Sequence, residues 1–543
     1  MSQQYIYKIH SKRLRKSKWD LNLSLSEARR NEEVVSLASS QVLRWLDEFN
    51  GVFDTDRKVY EIRSQIDELK KEEDSVKRRH EIKDLYKQLD AIQYKPDYMC
   101  LIIDKISDYH RACKGFYING IKYVRLLGTN GGIKNSTIVF VSERYAAELR
   151  RRIDNGRNIS KEMVTAKLEA YKALTCSASI PVSLPNGILV VNDCETTFRD
   201  TIISLNDESD GEPVMEYQED QEVTIDASDG FGLMTPSLAS RWSDELGLDY
   251  VVSGLNTRFA FEKGMVYTFD ILDFAIKVAD GQYIVKDAWG NDVDIRTVEL
   301  VLTTSMVKLW DSYDSCEDYI NTTLSNGYTF AVTKTCPKEL EDERSTNYQF
   351  LQSYDLSDDD IEELISPTIN EIKDILGGDW RKMVLFLRGA GLDEDNVEHL
   401  SDDFVKAIMI DPRVAEDPYI QSTVYRLIRK RIDEAKVGVI KVHGNYSIAS
   451  GDPYALCQSI FGLEVTGLLK AGEIYNKYWV DSGSEYLACF RAPMTTHSNI
   501  RRVAVARNEI TEYWYRYMRT CTIFNAWDCS MPSLNGIKIC ALL

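Results

Sequence analysis

Residues 490–505 read FRAPMTTHSNIRRVAV, residues 509–520 read EITEYWYRYMRT, and residues 525–536 read NAWDCSMPSLNG, with IKICALL at 537–543. An apolar β-run ends at Arg491, and Pro493 fixes the turn that follows, because the pyrrolidine ring locks its own φ and biases its predecessor to extended geometry. A second β-run carries Arg501 and Arg502, and a helical stretch presents Tyr513, Trp514, Tyr515 and Tyr517. Packing of these rings against a sheet explains them better than base stacking. Immediately upstream, VGVIKVHG (437–444) and EYLACFRA (485–492) have strand composition, so the last hundred residues are β-rich with one aromatic helix.

Outward from this tract, residues 357–435 are helical, with Ser357 and Ser401 placed as N-caps of amphipathic stretches. Asp358, Asp359 and Asp360 open the first of these helices, where negative charge complements the N-terminal dipole. From about 186 to 336 the chain is again β-rich, with short runs such as NGILVVND, MVYTFDI and VELVLTTS bounded by Gly, Asn or Asp. Within it TPSLASRWSDELGL predicts a helix with Thr235 as N-cap, Pro236 at its first turn and Gly247 beyond its end. Residues 98–185 mix strands with helices over 142–154 and 160–174, and the loop GTNGG at 128–132 reads as a hairpin turn, since the Lys-Ser/Thr of a phosphate loop is missing. Between Asp56 and Leu89 apolar residues at 59, 62, 66, 69, 76, 82, 85 and 89 predict one long helix or a helical hairpin, a structural arm with a charged outer face. These shifts divide the chain into an N-terminal helical arm (1–97), an α/β domain (98–185), a β-rich region (186–336), a helical connector (337–435) and a second β-rich region (436–543).

The net charge of −19, from 66 basic and 85 acidic residues, taken alone argues against a nucleic-acid binder. The charge is segregated, however. Acid concentrates at 206–222, 338–344 and 355–363, and base at 8–18, 150–152, 426–431 and 501–502, which allows a positive channel inside an acidic particle. Eleven scattered cysteines with no C-x-x-C pair, and no signal peptide, point to reduced thiols and a cytoplasmic setting. No apolar run reaches the roughly 18 residues of a membrane span, and the six isolated histidines suggest no zinc site.

Five further segments stand in order: DGFGLMTPSLASRWSDELGL (229–248), NTRFAFEKGMVYTFD (256–270), LTTSMVKLWDSY (302–313), GNYSIASGDPYALCQSIFG (444–462) and GLLKAGEIYNKYW (467–479). Together with the tract at 490–536 they resemble the two-barrel RNA polymerases, the family of the cellular RNA-dependent RNA polymerases of RNA silencing and their single-chain phage and bacterial relatives. The resemblance implies an α+β chain in which two double-psi β-barrels, at 186–336 and 436–543, are joined by the helical connector behind an α/β N-terminal region with its helical arm. In that family the final glycine is followed by an Asp-x-Asp-Gly-Asp loop that binds metal. No such loop occurs in these 543 residues, so the second barrel is expected to be incomplete and the chain to be a fragment or subunit inactive alone.

The same resemblance places Lys263 and Lys308 at the active-site face of the first barrel, where a lysine's compact charge suits phosphate. It gives Arg491 a role at the ribose or primer terminus. Arg258 is a weaker candidate for template or phosphate contact, and Arg501 and Arg502 for nucleic acid. No metal ligand is assigned: Asp226, Asp229 and Asp270 do not have the spacing of a rigid acidic loop. Mg²⁺ is expected only in a completed enzyme, with template, RNA and nucleoside triphosphates as partners and the acidic loop supplied by missing sequence or by a second polypeptide. A non-catalytic module that binds nucleic acid or a partner protein is the alternative.

Overall fold

The computed structural model describes residues 3–53, 55–71, 75–206, 214–227, 229–346, 348–352, 355–388, 403–491, 494, 499–527 and 538–542. The chain divides into two compact units, one of Met1–Glu195, Ser228–Cys336 and Pro453–Thr466, the other of Thr196–Ala227, Pro337–Asp452 and Gly467–Leu543.

The first unit begins with a mixed sheet of seven strands: Gln4–His10 (β1), Asp20–Leu21 (β2), Val34–Leu37 (β3), Tyr94–Ile102 (β4), Phe116–Ile118 (β5), Ile121–Leu127 (β6) and Thr137–Ser142 (β7), in the order β2-β5-β6-β7-β4-β1-β3. Helices Thr55–Lys71 and Val76–Gln93 pack on each other as the arm, and Ser75 caps the second by accepting from the Arg78 amide. The GTNGG segment differs from its reading as a hairpin turn. Thr129 caps a five-residue helix, Asn130–Lys134, its Oγ1 accepting from the Gly132 amide at 3.0 Å. A Cβ on Gly132 would lie 2.6 Å from that oxygen and 2.8 Å from the Thr137 carbonyl, so close packing against β7 is what demands the glycine.

The first barrel region forms a curled sheet from Ile180–Pro181 (β8), Ile188–Val191 (β9), Phe231–Met234, Gly254–Phe259, Glu262–Thr268, Leu300–Thr303 and Ala331–Thr335. The intervening strands Glu195–Asn206 (β10) and Val214–Asp226 (β11) pair as a separate two-stranded sheet assigned almost wholly to the second unit, and the curled sheet continues with Phe231–Met234 (β12), Gly254–Phe259 (β13) and Glu262–Thr268 (β14). A small hairpin follows of Ile284–Lys286 (β15) and Asp292–Asp294 (β16), then Leu300–Thr303 (β17) and Ala331–Thr335 (β18) complete the order β8-β18-β13-β14-β12-β17-β9. Helix Pro236–Glu245 starts and stops as its sequence dictates: Thr235 Oγ1 accepts from the Leu238 amide, and Gly247 takes φ +71°. Its Trp242 is fully buried and stacks on Phe330, which packs on Phe259, in a core that also takes Ile6, Trp45 and Val141 from the N-terminal elements. Helix Pro453–Ile460 belongs to this unit, Tyr454 and Phe461 packing on Phe274.

In the second unit Ser357 forms a capping box with Asp360 at the start of helix Asp358–Leu376; Ser401 lies outside the described residues. Ile375, Met383, Val405, Ile408, Val424 and Ile428 make the connector's own core. The second barrel comprises Glu343–Ser345 (β19), Lys441–Ser450 (β20), Glu473–Tyr475 (β21), Tyr486–Phe490 (β22), Ile500–Val505 (β23), Cys521–Phe524 (β24) and Lys538–Leu542 (β25) in the order β19-β20-β24-β21-β23-β22-β25. β25 also pairs with β20, so backbone pairing runs around a ring through all strands from β20 to β25. An open C-terminal edge was the expectation. The edges of β20 and β22 would have left unpaired backbone groups, and residues 538–542 satisfy both. The chain is thus α+β with two curled sheets of the double-psi type. No helix among the described residues is long and apolar enough to cross a membrane.

Candidate functional site

The densest group of sequence-predicted residues gathers on the β13–β14 hairpin. Its turn is Ala260–Phe261, with Phe261 at φ +57°. A bulky residue in the left-handed region is uncommon, and Phe261 holds it with its ring buried. The Phe261 carbonyl accepts from the Lys308 amide at 3.0 Å, the Lys263 amide donates to the Met306 carbonyl at 3.1 Å, and Glu262 bridges to Val307. These bonds bring Lys263 and Lys308 to one place although they are far apart in sequence. Arg258 stands directly opposite Lys263 in the strand register.

The segment 304–308 is held by Asp193, which follows β9. One carboxylate oxygen accepts from Thr304 Oγ1 and from the Ser305 amide, both at 2.8 Å, and the other accepts from Ser305 Oγ. Ser305 Oγ in turn accepts from the Gly230 amide at 2.9 Å. Sequence reading had treated Asp193 as an ordinary turn residue of NGILVVND, and nothing local distinguishes it. Its role depends on β9 pairing with β17.

Gly264, after Lys263, lies inside β14 without a left-handed φ, so no turn requires it. A Cβ there would come within 2.6 Å of both the Gly230 carbonyl and the Met306 side chain. The glycine therefore permits close approach of three backbone segments beneath the lysines.

Lys308 Nζ lies 3.5 Å from the exposed Asp229 carboxylate. Partial burial, then the neighbouring Arg258 and Lys308, push the Lys263 ammonium below its usual range, with Asp229 opposing. Burial likewise lowers Arg258, whose Nη1 donates to Asn256 Oδ1 and the Thr257 carbonyl, so much of its hydrogen-bonding capacity is spent within its own strand. Beneath them Glu262 is fully buried. Oε1 accepts from Thr257 Oγ1 at 2.8 Å, while Oε2 has no hydrogen-bond partner. Burial pushes this carboxyl up to about 7, against the opposing effects of Arg258, Thr257 and Lys308. The sequence did carry a signal for Glu262: it sits in phase with Gly264, Val266 and Thr268 on the inward face of β14.

The other predicted residues lie in the second unit. Arg491 immediately follows β22 and is half-buried, and Arg501 and Arg502 stand on β23 opposite Cys489 and Ala488 of β22. The Arg502 guanidinium rests 4.2 Å from the centre of the Tyr486 ring. Pro493 lies outside the described residues. Of the aromatic helix, Tyr515 is buried and donates its hydroxyl proton to Asp452 at 2.8 Å, and Trp514 is also buried. Tyr513 is partly exposed, with Arg516 over its ring.

Asp270 is engaged as an N-cap, accepting from the Asp273 amide. Among the described residues no group of three His, Cys, Asp or Glu side chains is placed to hold a metal ion. The described residues thus offer no carboxylate cluster of the kind that holds magnesium.

Comparison with known proteins bears on this arrangement. The family described as RNA dependent RNA polymerase matches residues 70–532. The DNA-directed RNA polymerase YonO of Bacillus phage SPbeta is 28% identical over 416 residues, covering 74% of this chain and 46% of the phage protein. The structure of the RNA dependent RNA polymerase QDE-1 from Thielavia terrestris superposes with a TM-score of 0.54 at 14% identity, over 82% of this chain and 49% of that one. The chain thus spans about half the length of the relatives it matches. With the family match covering most of its residues, the chain belongs to the RNA-dependent RNA polymerase family.

Proposed function

We propose that this chain supplies the nucleotide-handling framework of an RNA-synthesising enzyme. Nucleotidyl transfer requires a neutralised triphosphate and a 3′-hydroxyl aligned with the α-phosphorus, so that the new ester bond forms as pyrophosphate leaves. Lys263 and Lys308 take the first task, binding the triphosphate of the incoming nucleotide above the β13–β14 turn, while Arg258 sets the local field. Arg491 contacts the ribose or the primer terminus, and Arg501 and Arg502 contact nucleic acid. The observation that carries this reading is the reciprocal backbone bonding of Phe261 with Lys308 and of Lys263 with Met306, which holds two lysines together at a positively charged surface.

The residues present here contain no Asp-x-Asp-Gly-Asp sequence. On this reading the carboxylates needed for divalent-metal chemistry come from polypeptide outside these residues, continuous with them or as a second chain, and the 543 residues alone do not synthesise RNA. The test is RNA synthesis on DNA and RNA templates by the purified chain, alone and with a segment carrying the acidic loop. Synthesis only with the added segment, lost in Lys263→Ala, is the expected result. Robust synthesis by the chain alone overturns the inactivity, and binding of nucleic acid without synthesis in every combination favours a non-catalytic module.

A further inference from the structure

We propose that the N-terminal sheet carries a second phosphate-binding site, separate from the lysine pair of the barrel, that grips the sugar-phosphate backbone of a nucleic-acid strand. It rests on the reading above that nucleic acid is a ligand of this chain. A cavity of about 610 Å³ opens where β1 runs into helix Ser11–Lys16, beside the β3 edge of the sheet, and Lys8, His10, Lys12, Arg13 and Lys16 line it. These residues precede the region matched to the polymerase family, so the family match does not account for them.

The cations of this segment fall into two kinds. Arg13 pairs with Glu27 at 2.6 Å and with Glu33 at 3.2 Å, Arg15 Nη1 donates to both oxygens of the buried Asp108, and His10 Nδ1 lies 3.0 Å from Asp104, so these contacts hold the helix in place. Lys8, Lys12 and Lys16 pair with no carboxylate among the described residues. Lys12 and Lys16 are one helical turn apart and therefore share a face, and Lys8 joins them from the end of β1. Of the two carboxylates lining the cavity, Glu33 is occupied by Arg13 and only Glu32 offsets the lysines. Val35 and Ile102 are the only apolar residues in the lining, which suits a hydrated anion rather than an apolar ligand. Three flexible point charges with no planar fork bind phosphate without reading sequence. In an acidic chain of net charge −19, such an unneutralised cluster is not general surface character.

The test is binding of a labelled single-stranded oligonucleotide to the full chain across a salt series. The variants are the triple substitution Lys8→Ala, Lys12→Ala, Lys16→Ala and a control that removes the same charge from the arm, Lys77→Ala, Lys83→Ala, Lys87→Ala. Lys12, Lys16 and the three arm lysines are exposed and Lys8 is half-buried, and circular dichroism verifies that both variants fold. Loss of three phosphate contacts lowers the slope of log K against log salt by about 2 and weakens binding roughly a hundredfold at 0.1 M salt. The arm variant keeps the parent slope. An unchanged slope in the first variant while the parent binds normally overturns this site alone; absence of binding by the parent overturns both this site and the reading on which it rests. Pyrophosphate that binds the parent and not the triple variant, with oligonucleotide binding equal in the two, reassigns the cavity to free phosphate and overturns the strand assignment. Competition by poly-glutamate equal to that by oligonucleotide marks a protein-facing surface and overturns it as well.

Discussion

Arg258 and Lys263 are directly paired across β13 and β14, two cations opposite one another in the strand register. Like charges so placed destabilise a sheet, and here they sit over Glu262, a buried carboxyl with one unsatisfied oxygen. The turn thus concentrates three unfavourable features: a left-handed Phe261, opposed cations and a buried acid. Such features persist where surrounding structure over-determines them, and they cluster at functional sites.

Glu262 makes stability depend on pH. Its carboxyl is raised from 4.5 to about 7 in the fold, so the folded chain binds the proton more tightly than the unfolded one. The resulting stabilisation is complete below about pH 4.5 and is lost as pH rises through about 7. The shift corresponds to on the order of 3 kcal/mol. Glu262→Gln is expected to remove this component and to be the more stable protein at pH 8, as measured by urea unfolding from pH 5 to 8. Parallel pH profiles for the two proteins would count against it.

Gly264→Ala forces a methyl group against the Gly230 carbonyl and Met306, both at 2.6 Å. A loss of about 2–3 kcal/mol is expected, in the range of overpacking. Gly131→Ala, where nothing lies within 4 Å of the added carbon, should be nearly neutral. Thermal unfolding of the two variants compares them directly.

Asp193→Ala removes the acceptor shared by Thr304 and Ser305. Hydrogen bonds to a charged group contribute about 1.5–3 kcal/mol each and are not additive here, so a loss of roughly 2–4 kcal/mol is expected. Because 304–308 leads into Lys308, hydrogen exchange at the Lys308 amide should also speed up. An exchange rate equal to the parent's would separate Asp193 from the site.

Much of this architecture was legible. Thr235, Pro236 and Gly247 bounded their helix in the sequence as they do in the fold, and Ser357 with Asp360 did the same, because caps and turns are local chemistry. The association of Lys263 with Lys308 came from resemblance, and its physical cause became visible only in the pairing of the 261–263 and 306–308 backbones. Asp193 was illegible because its partners are distant in sequence. The role of Gly264 was likewise hidden, since an isolated glycine does not distinguish freedom to turn from room for a neighbour. The closing of the ring by β25 also depended on non-local pairing, with one five-residue segment filling two strand edges at once.

The central claim is that Lys263 and Lys308 together bind a nucleotide's triphosphate, and calorimetric titration of the chain with a nucleoside triphosphate, its monophosphate and the bare nucleoside tests it most directly. The expected result is affinity that rises with phosphate number and falls at least about tenfold in each of Lys263→Ala and Lys308→Ala, the loss of a charge-assisted contact costing roughly 1.5–3 kcal/mol. Equal triphosphate affinity in the parent and both variants, with folding unchanged, would contradict it.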